Sequence, residues 1–341
     1  GDTVNLASRM ETLAEAGTTY VTEATFRLTE GLFLFEALGE KEVKGKAEKV
    51  RIFRVIAPSA RTTRFDVSVE RGLTPFFGRS RDLELMLDAF ERSKEGRGQA
   101  VSIVAEAGVG KSRLLYEFRK AIANEDVTFL EGRCLSYGRN VAYHPVIDLL
   151  KSDFNIREEH SDEEIRAKVK KGLKITGADE ALTMPYILEL LSVPGSGIDP
   201  FLSPEARKER IIEALNRLVL GRAAIRPVVI AIEDLHWIDK NSEQRFEALL
   251  DNISGSKVFL IFTYRPEFVH TWGAKSYHSQ LNLNRLSNRE SLAMVSYLLG
   301  AETVESGLEE FILEKTEGIP FFIEEFIRSL TDLKIIESKD N

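Results

Sequence analysis

The segment AEAGVGKS, residues 105–112, constrains the fold more than any other stretch of this 341-residue chain. It follows a strand-like apolar run, AVSIVA, and precedes a helix-like segment, KSRLLYEFRKAI. Small residues between a strand and a helix let the backbone wrap around a phosphate, with several N–H groups and the helix N-terminus pointing inward. The segment therefore predicts a phosphate-binding loop.

Four residues of this loop are predicted to bind a nucleotide. The glycines Gly108 and Gly110 allow close backbone approach, Lys111 can reach the β and γ phosphates, and Ser112 can bind Mg²⁺. The motif has glycine where this chain has Ala105, and alanine does not readily adopt a positive φ. We therefore expect ordinary strand-like backbone at Ala105.

An acidic pair follows a second apolar strand, in the segment PVVIAIEDLHWID. Glu233 and Asp234 come at the carboxyl end of this strand, where nucleotide sites of parallel sheets lie. One carboxylate would bind the Mg²⁺ shell and the other would polarise the attacking water. We assign Glu233 to the metal and Asp234 to the water, although these roles can be exchanged.

A third strand-like segment, KVFLIFTYRPE, ends in Arg265. A cation at that position can contact the γ-phosphate. The alternative is an arginine that pairs with a surface carboxylate, and the residues alone leave both interpretations open.

Charge and cysteine content exclude several classes of protein. The net charge of −8 argues against nucleic acid as a main partner, because phosphate backbones require clustered Lys and Arg. Cys134 is the only cysteine, so no intrachain disulfide can form and we expect a reducing, cytoplasmic compartment. The apolar runs are shorter than the ~20 residues of a membrane span, so we expect no membrane segment in this chain.

The predicted secondary structure changes along the chain. Residues 1–57 are predicted to form a helix followed by strands, and 58–74 a linker without sustained periodicity. From Phe76 strands and helices alternate, which predicts a parallel sheet covered on both faces. Residues 141–226 are predicted to be mostly helical, and the signals after Trp272 are helical only.

Local signals predict several helix ends. Capping boxes occur at 161–164 and 287–290, with serine first and glutamate fourth. Gly318 and Pro320 are typical of the end of one helix and the start of the next.

Five segments occur in an order that resembles the signal-transduction ATPases related to the AAA superfamily. They are FFGRSRDLELM, AEAGVGKSRLL, EDLHWID, FTYRPE and EGIPFFIEEFIRSL. The resemblance covers roughly residues 75–334. It implies a P-loop ATPase core at 75–272 with a parallel β-sheet covered by helices, then a helical lid region at 273–341.

The resemblance also implies residue roles and a strand order. Gly78 and Arg79 would lie near the adenine, and Pro320 in the lid would face the base. The strand before Arg265 would lie between the strand that precedes Lys111 and the strand that ends at Glu233. The implied cofactors are ATP and Mg²⁺, and ATP binding and hydrolysis switch conformation in such proteins, often with oligomerisation.

The first 57 residues resemble the C-terminal part of a class III nucleotide cyclase domain, an α+β fold. The matching segments are GDTVNLASRME, VTEATFRL and FEALGEKEVKGKAEKVRIFRV. Asn5 and Arg9 are four apart and would share a helix face. The resemblance implies that Asn5 orients the ribose, Arg9 stabilises charge on the α-phosphate and Lys44 contacts the triphosphate.

The metal-binding aspartates of that family lie upstream of its matching motif. We therefore expect that the chain begins partway through a domain of an α/β fusion, and that it binds ATP without cyclising it. The architecture resembles soluble adenylyl cyclases and their bacterial relatives, which implies self-association through the cyclase part. Alternatives are a regulator with an inactive cyclase-like segment and an ATP-dependent transcriptional regulator.

Overall fold

The structure is a computed structural model, and it divides the chain into two compact units, Gly1–Pro75 and Phe76–Asn341. The residues that it describes are 2–43, 49–59, 64–136, 138, 141–301, 303–333 and 335–336. Each unit is described by itself.

The first unit is a small antiparallel sheet with helices. Its elements are α1 (Asp2–Leu13), β1 (Thr19–Thr22), α2 (Glu23–Thr29), β2 (Phe33–Lys41), β3 (Val50–Pro58) and α3 (Arg64–Arg71). The strand order is β1-β3-β2, with both pairings antiparallel. Met10, Val43 and Ile52 form its buried cluster. The expected helix followed by strands is confirmed.

The segment predicted to be a linker contains a helix. The strand β3 extends to Pro58, and α3 occupies Arg64–Arg71. Val67 of this helix is buried. The predicted linker therefore contains a helix that the sequence analysis did not predict, because eight residues are too few for apolar periodicity to show.

The second unit is built on a five-stranded sheet. The strands are β4 (Gln99–Val104), β5 (Thr128–Arg133), β6 (Val228–Glu233), β7 (Val258–Tyr264) and β8 (His278–Asn282). Their order is β5-β6-β7-β4-β8 and every pairing is parallel. The α/β fold class is confirmed. The strand before Arg265 does lie between those of Lys111 and Glu233, as the resemblance implies.

Two central strands carry the core. All residues of β6 and β7 are buried, as expected for strands covered on both faces. Alternate side chains point to opposite faces, so Leu260 and Phe262 join one apolar cluster and Phe259 and Ile261 the other. The sheet therefore lies between two separate cores.

Ten helices of the second unit lie in the described residues. They are α4 (Ser80–Lys94), α5 (Lys111–Ala121), α6 (His144–Asp153), α7 (Asp162–Thr176), α8 (Glu180–Leu190), α9 (Pro204–Ile225), α10 (Lys240–Asn252), α11 (Asn288–Leu299), α12 (Ser306–Thr316) and α13 (Pro320–Asp332). Both predicted capping boxes form, at the starts of α7 and α11. Helices α11, α12 and α13 enclose a third apolar cluster. We call these three helices and their cluster the lid.

The prediction that only helices follow Trp272 is wrong. His278–Asn282 forms β8, which pairs with β4 at the edge of the sheet. Its sequence, HSQLN, has no apolar run, and its residues are half-buried or exposed. An edge strand with a partly solvated face does not need the apolar residues from which we recognised the other strands.

None of the helices that the structure describes is long and apolar enough to cross a membrane.

We expect Ile261→Ala to lower the free energy of unfolding of the second unit by about 2–5 kcal/mol, because it leaves a cavity in a fully buried strand. Denaturant unfolding followed by circular dichroism measures this change. Val269→Ala is the control, since Val269 is 85% exposed and its truncation should change stability by less than about 0.5 kcal/mol. Equal effects of the two substitutions would contradict the described core.

Candidate nucleotide site

The phosphate-binding loop leaves β4 and opens α5. Ala105 is absent from the residues with positive φ, and its N–H donates to the carbonyl of Tyr264 at 3.2 Å. The expectation of ordinary backbone at Ala105 is therefore confirmed. Gly110, the residue before α5, has a φ of +117°, a conformation that glycine adopts without strain.

Lys111 is held inside this loop. Its side chain is buried, and Nζ donates to the carbonyls of Ala105 at 2.8 Å and Glu106 at 3.1 Å. Burial lowers the pKa of Lys111, and the nearby Asp234 carboxylate opposes that shift. A phosphate at the loop would offer this ammonium a full negative charge instead of two carbonyl dipoles.

Ser112 and Glu233 meet beneath the loop. Ser112 Oγ donates to Glu233 Oε2 at 2.6 Å, and Glu233 is only 3% exposed. The other carboxylate oxygen, Oε1, accepts a hydrogen bond from Arg133 Nε at 2.8 Å. A serine hydroxyl beside a carboxylate is a pair of oxygen ligands that suits Mg²⁺, so the geometry favours Glu233 for the metal.

Asp234 follows β6 in a left-handed conformation, with a φ of +56°. Its N–H donates to Thr263 Oγ1 at 3.1 Å, which fixes this turn against β7. Burial and the adjacent Glu233 raise the pKa of Asp234, while the cations Lys111 and Arg265 lower it. The result is a half-exposed carboxyl group with increased proton affinity beside the loop.

Arg265 lies at the end of β7, between the other two strand ends. Its charge interacts with Lys111 and with Asp234. Its guanidinium also lies 4.0 Å from Glu267, a weak exposed ion pair. The sheet therefore brings Arg265 to the predicted site, and the surface pairing that we left as an alternative is present as well.

Arg133 is a residue that sequence reasoning missed. It ends β5 and lies in register with Glu233 on the neighbouring strand. Besides Glu233 it also pairs with Glu131 at 3.1 Å. A polar residue at a strand's carboxyl end was the available signal, but the sequence does not show which strand lies beside β6.

Arg79 contacts the phosphate-binding loop, and Gly78 lies close to the first helix of the lid. A Cβ at Gly78 would lie 2.5 Å from Glu290 Oε1 of α11. The Arg79 guanidinium donates to the carbonyl of Val109 in the loop, at 3.4 Å, and to that of Asn284. The predicted contact of these residues with the adenine stays a prediction, whereas their structural role is visible.

The lid also contacts the loop directly. The N–H of Phe321 donates to the carbonyl of Gly108 at 3.3 Å, one residue after Pro320 begins α13. Gly318 has a φ of +72°, and its carbonyl accepts from the N–H of Leu286 at 2.8 Å. The predicted helix end at Gly318 and start at Pro320 are confirmed.

In the first unit, α1 carries Asn5 and Arg9 one turn apart. Asn5 is exposed and Arg9 is partly buried. Lys44 lies outside the described residues. The roles of all three in a cyclase reaction stay predictions.

Family comparisons agree with this geometry. The family described as AAA ATPase domain matches residues 75–261, more than half of the chain. The chain belongs to this AAA ATPase family. The family described as adenylate and guanylate cyclase catalytic domain matches residues 1–56, and a domain of unknown function matches 287–341. The fusion indicated by the sequence is therefore shown, with a partial cyclase domain before the ATPase.

A curated relative matches nearly the whole chain. It is an uncharacterized protein of Rhizobium meliloti, 26% identical in an alignment of 337 positions that covers 95% of this chain and 32% of that protein. The chain thus spans about a third of the length of this relative.

Three solved structures show weak similarity to the chain. Drosophila ORC bound to DNA has 11% identity and a TM-score of 0.47, covering 82% of this chain and 67% of its own. A signal transduction ATPase with a tetratricopeptide repeat sensor from Pyrococcus horikoshii has 15% identity and a TM-score of 0.38, and the match covers 79% of this chain and 31% of that one. A Thermotoga maritima RuvB variant has 13% identity and a TM-score of 0.38, and the match covers 76% of this chain and 64% of that one. Similarities at this level carry no information on function.

We expect Gly318→Ala to destabilise the packing within the lid. Its Cβ would lie 2.4 Å from the carbonyl oxygen of Leu286, and the positive φ alone costs about 1–2 kcal/mol for alanine. Thermal unfolding should show a lower Tm. Gly307→Ala is the control, because its Cβ meets nothing within 4 Å. A Tm unchanged in both variants would contradict the described contact.

Proposed function

We propose that the second unit binds ATP with Mg²⁺ and hydrolyses it, and that this reaction regulates an attached class III nucleotide cyclase. The observation that carries the proposal is the contact of Ser112 with Glu233 beneath the loop that holds Lys111. Membership of the AAA ATPase family supports nucleotide binding.

The residues present fit a magnesium ion. Hard divalent cations of this size prefer oxygen ligands and are usually held by one or two protein groups together with substrate phosphates. Ser112 Oγ and Glu233 Oε2 supply such oxygens 2.6 Å apart. When bound, the ion would neutralise charge on the phosphates.

Lys111 and Arg265 would stabilise the negative charge of the terminal phosphates. Both cations lie close enough to Asp234 to affect its pKa. Asp234 would accept a hydrogen bond from the attacking water and orient it, and its increased proton affinity suits it to receive a proton. Arg133 would hold Glu233 beside Ser112 through the bond to Oε1.

The lid is the element through which the ATPase would act on other domains. Arg79 and Phe321 connect the loop to the lid, so a phosphate that moves the loop carbonyls changes both contacts. The partial cyclase match on the same chain supports a cyclase as the regulated activity. We propose that the protein is cytoplasmic, that it self-associates through the cyclase part and that it does not bind nucleic acid. We also propose that this chain alone does not cyclise nucleotides.

We expect the chain to convert labelled ATP with Mg²⁺ to ADP and phosphate, and to form no cyclic nucleotide. Lys111→Ala should abolish the hydrolysis, because the loop loses the ammonium that contacts the phosphates. Chromatographic product analysis measures both reactions. Lys120→Ala is the control, since Lys120 is an exposed lysine on the same helix.

Hydrolysis that persists in Lys111→Ala would place the ATPase activity elsewhere. Cyclic nucleotide made by this chain would instead contradict the expectation that the cyclase part is incomplete here. Tight ATP binding without turnover would restrict the unit to a nucleotide-gated switch.

We expect the two acidic residues to separate kinetically. Asp234→Asn should lower kcat by about 10²–10⁴-fold with ATP binding retained, because it removes the group that accepts the proton. Glu233→Gln should weaken the Mg²⁺ dependence of ATP binding. Steady-state hydrolysis and a nucleotide-binding titration over Mg²⁺ concentration measure both effects, and the opposite pattern would show that the roles are exchanged.

A further inference from the structure

A buried arginine has no ion-pair partner among the residues that the structure describes. Arg245 of α10 is 3% exposed. Within the described residues its side chain makes one hydrogen bond, from Nη1 to Asn216 Oδ1 of α9 at 2.8 Å, and no ion pair. A guanidinium has five N–H donors and a full positive charge. A neutral amide accepts from only part of these donors and does not balance the charge.

The neighbouring phenol does not balance this charge. Tyr143 is the group whose charge state interacts with Arg245. Burial raises the pKa of Tyr143, so its hydroxyl is neutral at physiological pH. Burial lowers the pKa of Arg245 to about 9, which still leaves the guanidinium protonated at neutral pH.

Arg245 lines a partly enclosed cavity of about 40 Å³. The walls are leucine, valine, isoleucine and phenylalanine side chains of β5, β6, α6, α9 and α10. The only other charged lining residues in the described chain are Asp153 and Arg222, whose ion pair measures 3.0 Å. Since that pair is neutral as a unit, the cavity has a net charge of one positive unit.

The size and charge of the cavity define what it can hold. A water molecule requires about 10–15 Å³ of cavity volume, so 40 Å³ accommodates roughly three water-sized groups. A cation is disfavoured by Arg245, and a large or multiply charged anion does not fit apolar walls. A monovalent anion of one to four non-hydrogen atoms satisfies both limits.

We propose that this cavity is a binding site for a small monovalent anion, held by Arg245 between α9 and α10. The anion would accept hydrogen bonds from guanidinium N–H groups that Asn216 does not use. Arg222, at 15% side-chain exposure, is the more accessible member of the Asp153 pair. The site is separate from the phosphate-binding loop.

Chloride is the probe for the test. The chain is kept at constant ionic strength while sodium gluconate, whose anion is too large for the cavity, is replaced by sodium chloride. We expect saturable broadening of the ³⁵Cl resonance by the protein, reversed by excess bromide. We also expect a rise in Tm of roughly 2–4 °C at a chloride concentration about five times Kd.

Arg245→Met should remove both effects, and Arg245→Lys, which keeps the charge, should retain chloride binding with weaker affinity. Arg226→Met is the matched control, because Arg226 is a half-exposed arginine that pairs with Asp126 at the surface. Broadening that does not saturate, or that is equal in the wild type and Arg245→Met, overturns the proposal. If Arg245→Met does not fold, the bromide-reversible signal of the wild type decides.

Discussion

The burial of β6 and β7 on both faces is the constraint on which the rest of the second unit depends. A strand with no solvated side can pair only inside a sheet, and its ends then lie at fixed edges. The carboxyl end of β6 places Glu233, and that of β7 places Arg265 next to it. Once β4 pairs on the other side of β7, Lys111 faces both residues. The apolar core therefore determines the geometry of the polar site.

The charges at this edge stabilise one another in pairs. Arg133 and Ser112 each bind one oxygen of Glu233, so the buried carboxylate has a partner on both sides. Among the described residues, no side chain donates a hydrogen bond to the Asp234 carboxylate. Its pKa is raised because burial and Glu233 outweigh the nearby cations. Two adjacent acids thus lie in different surroundings, one hydrogen-bonded through both oxygens and the other half-exposed.

The sequence predicted those parts of the structure that depend on residues close together in the chain. The loop at 105–112, the apolar strands and the capping boxes depend on neighbours in the chain, and all are confirmed. The position of β7 between β4 and β6 came from the resemblance, because periodicity contains no information on which strands pair. β8 and α3 were missed, since the first has no apolar run and the second is only two turns long.

The candidate site shows the same division. Lys111, Ser112 and Glu233 were found from motifs, and the structure brings them together. Arg133 could not be found, because its importance comes from its register with Glu233 across two strands. Arg79 was assigned to the base, and the structure shows its guanidinium on the carbonyls of Val109 and Asn284. Any residue has a backbone carbonyl, so the residue types at positions 109 and 284 do not show that a side chain binds there.

The strand order has a consequence for how the candidate site forms. Ser112 and Glu233 are 121 residues apart, and β5 and four helices separate them along the chain. Contacts between such distant residues form late, since the loop-closure entropy must be overcome before they stabilise anything. A chain emerging from the ribosome would have its phosphate-binding loop long before the acidic partner was synthesised. Catalytic competence would then appear only after the last central strand, β7, had joined the sheet.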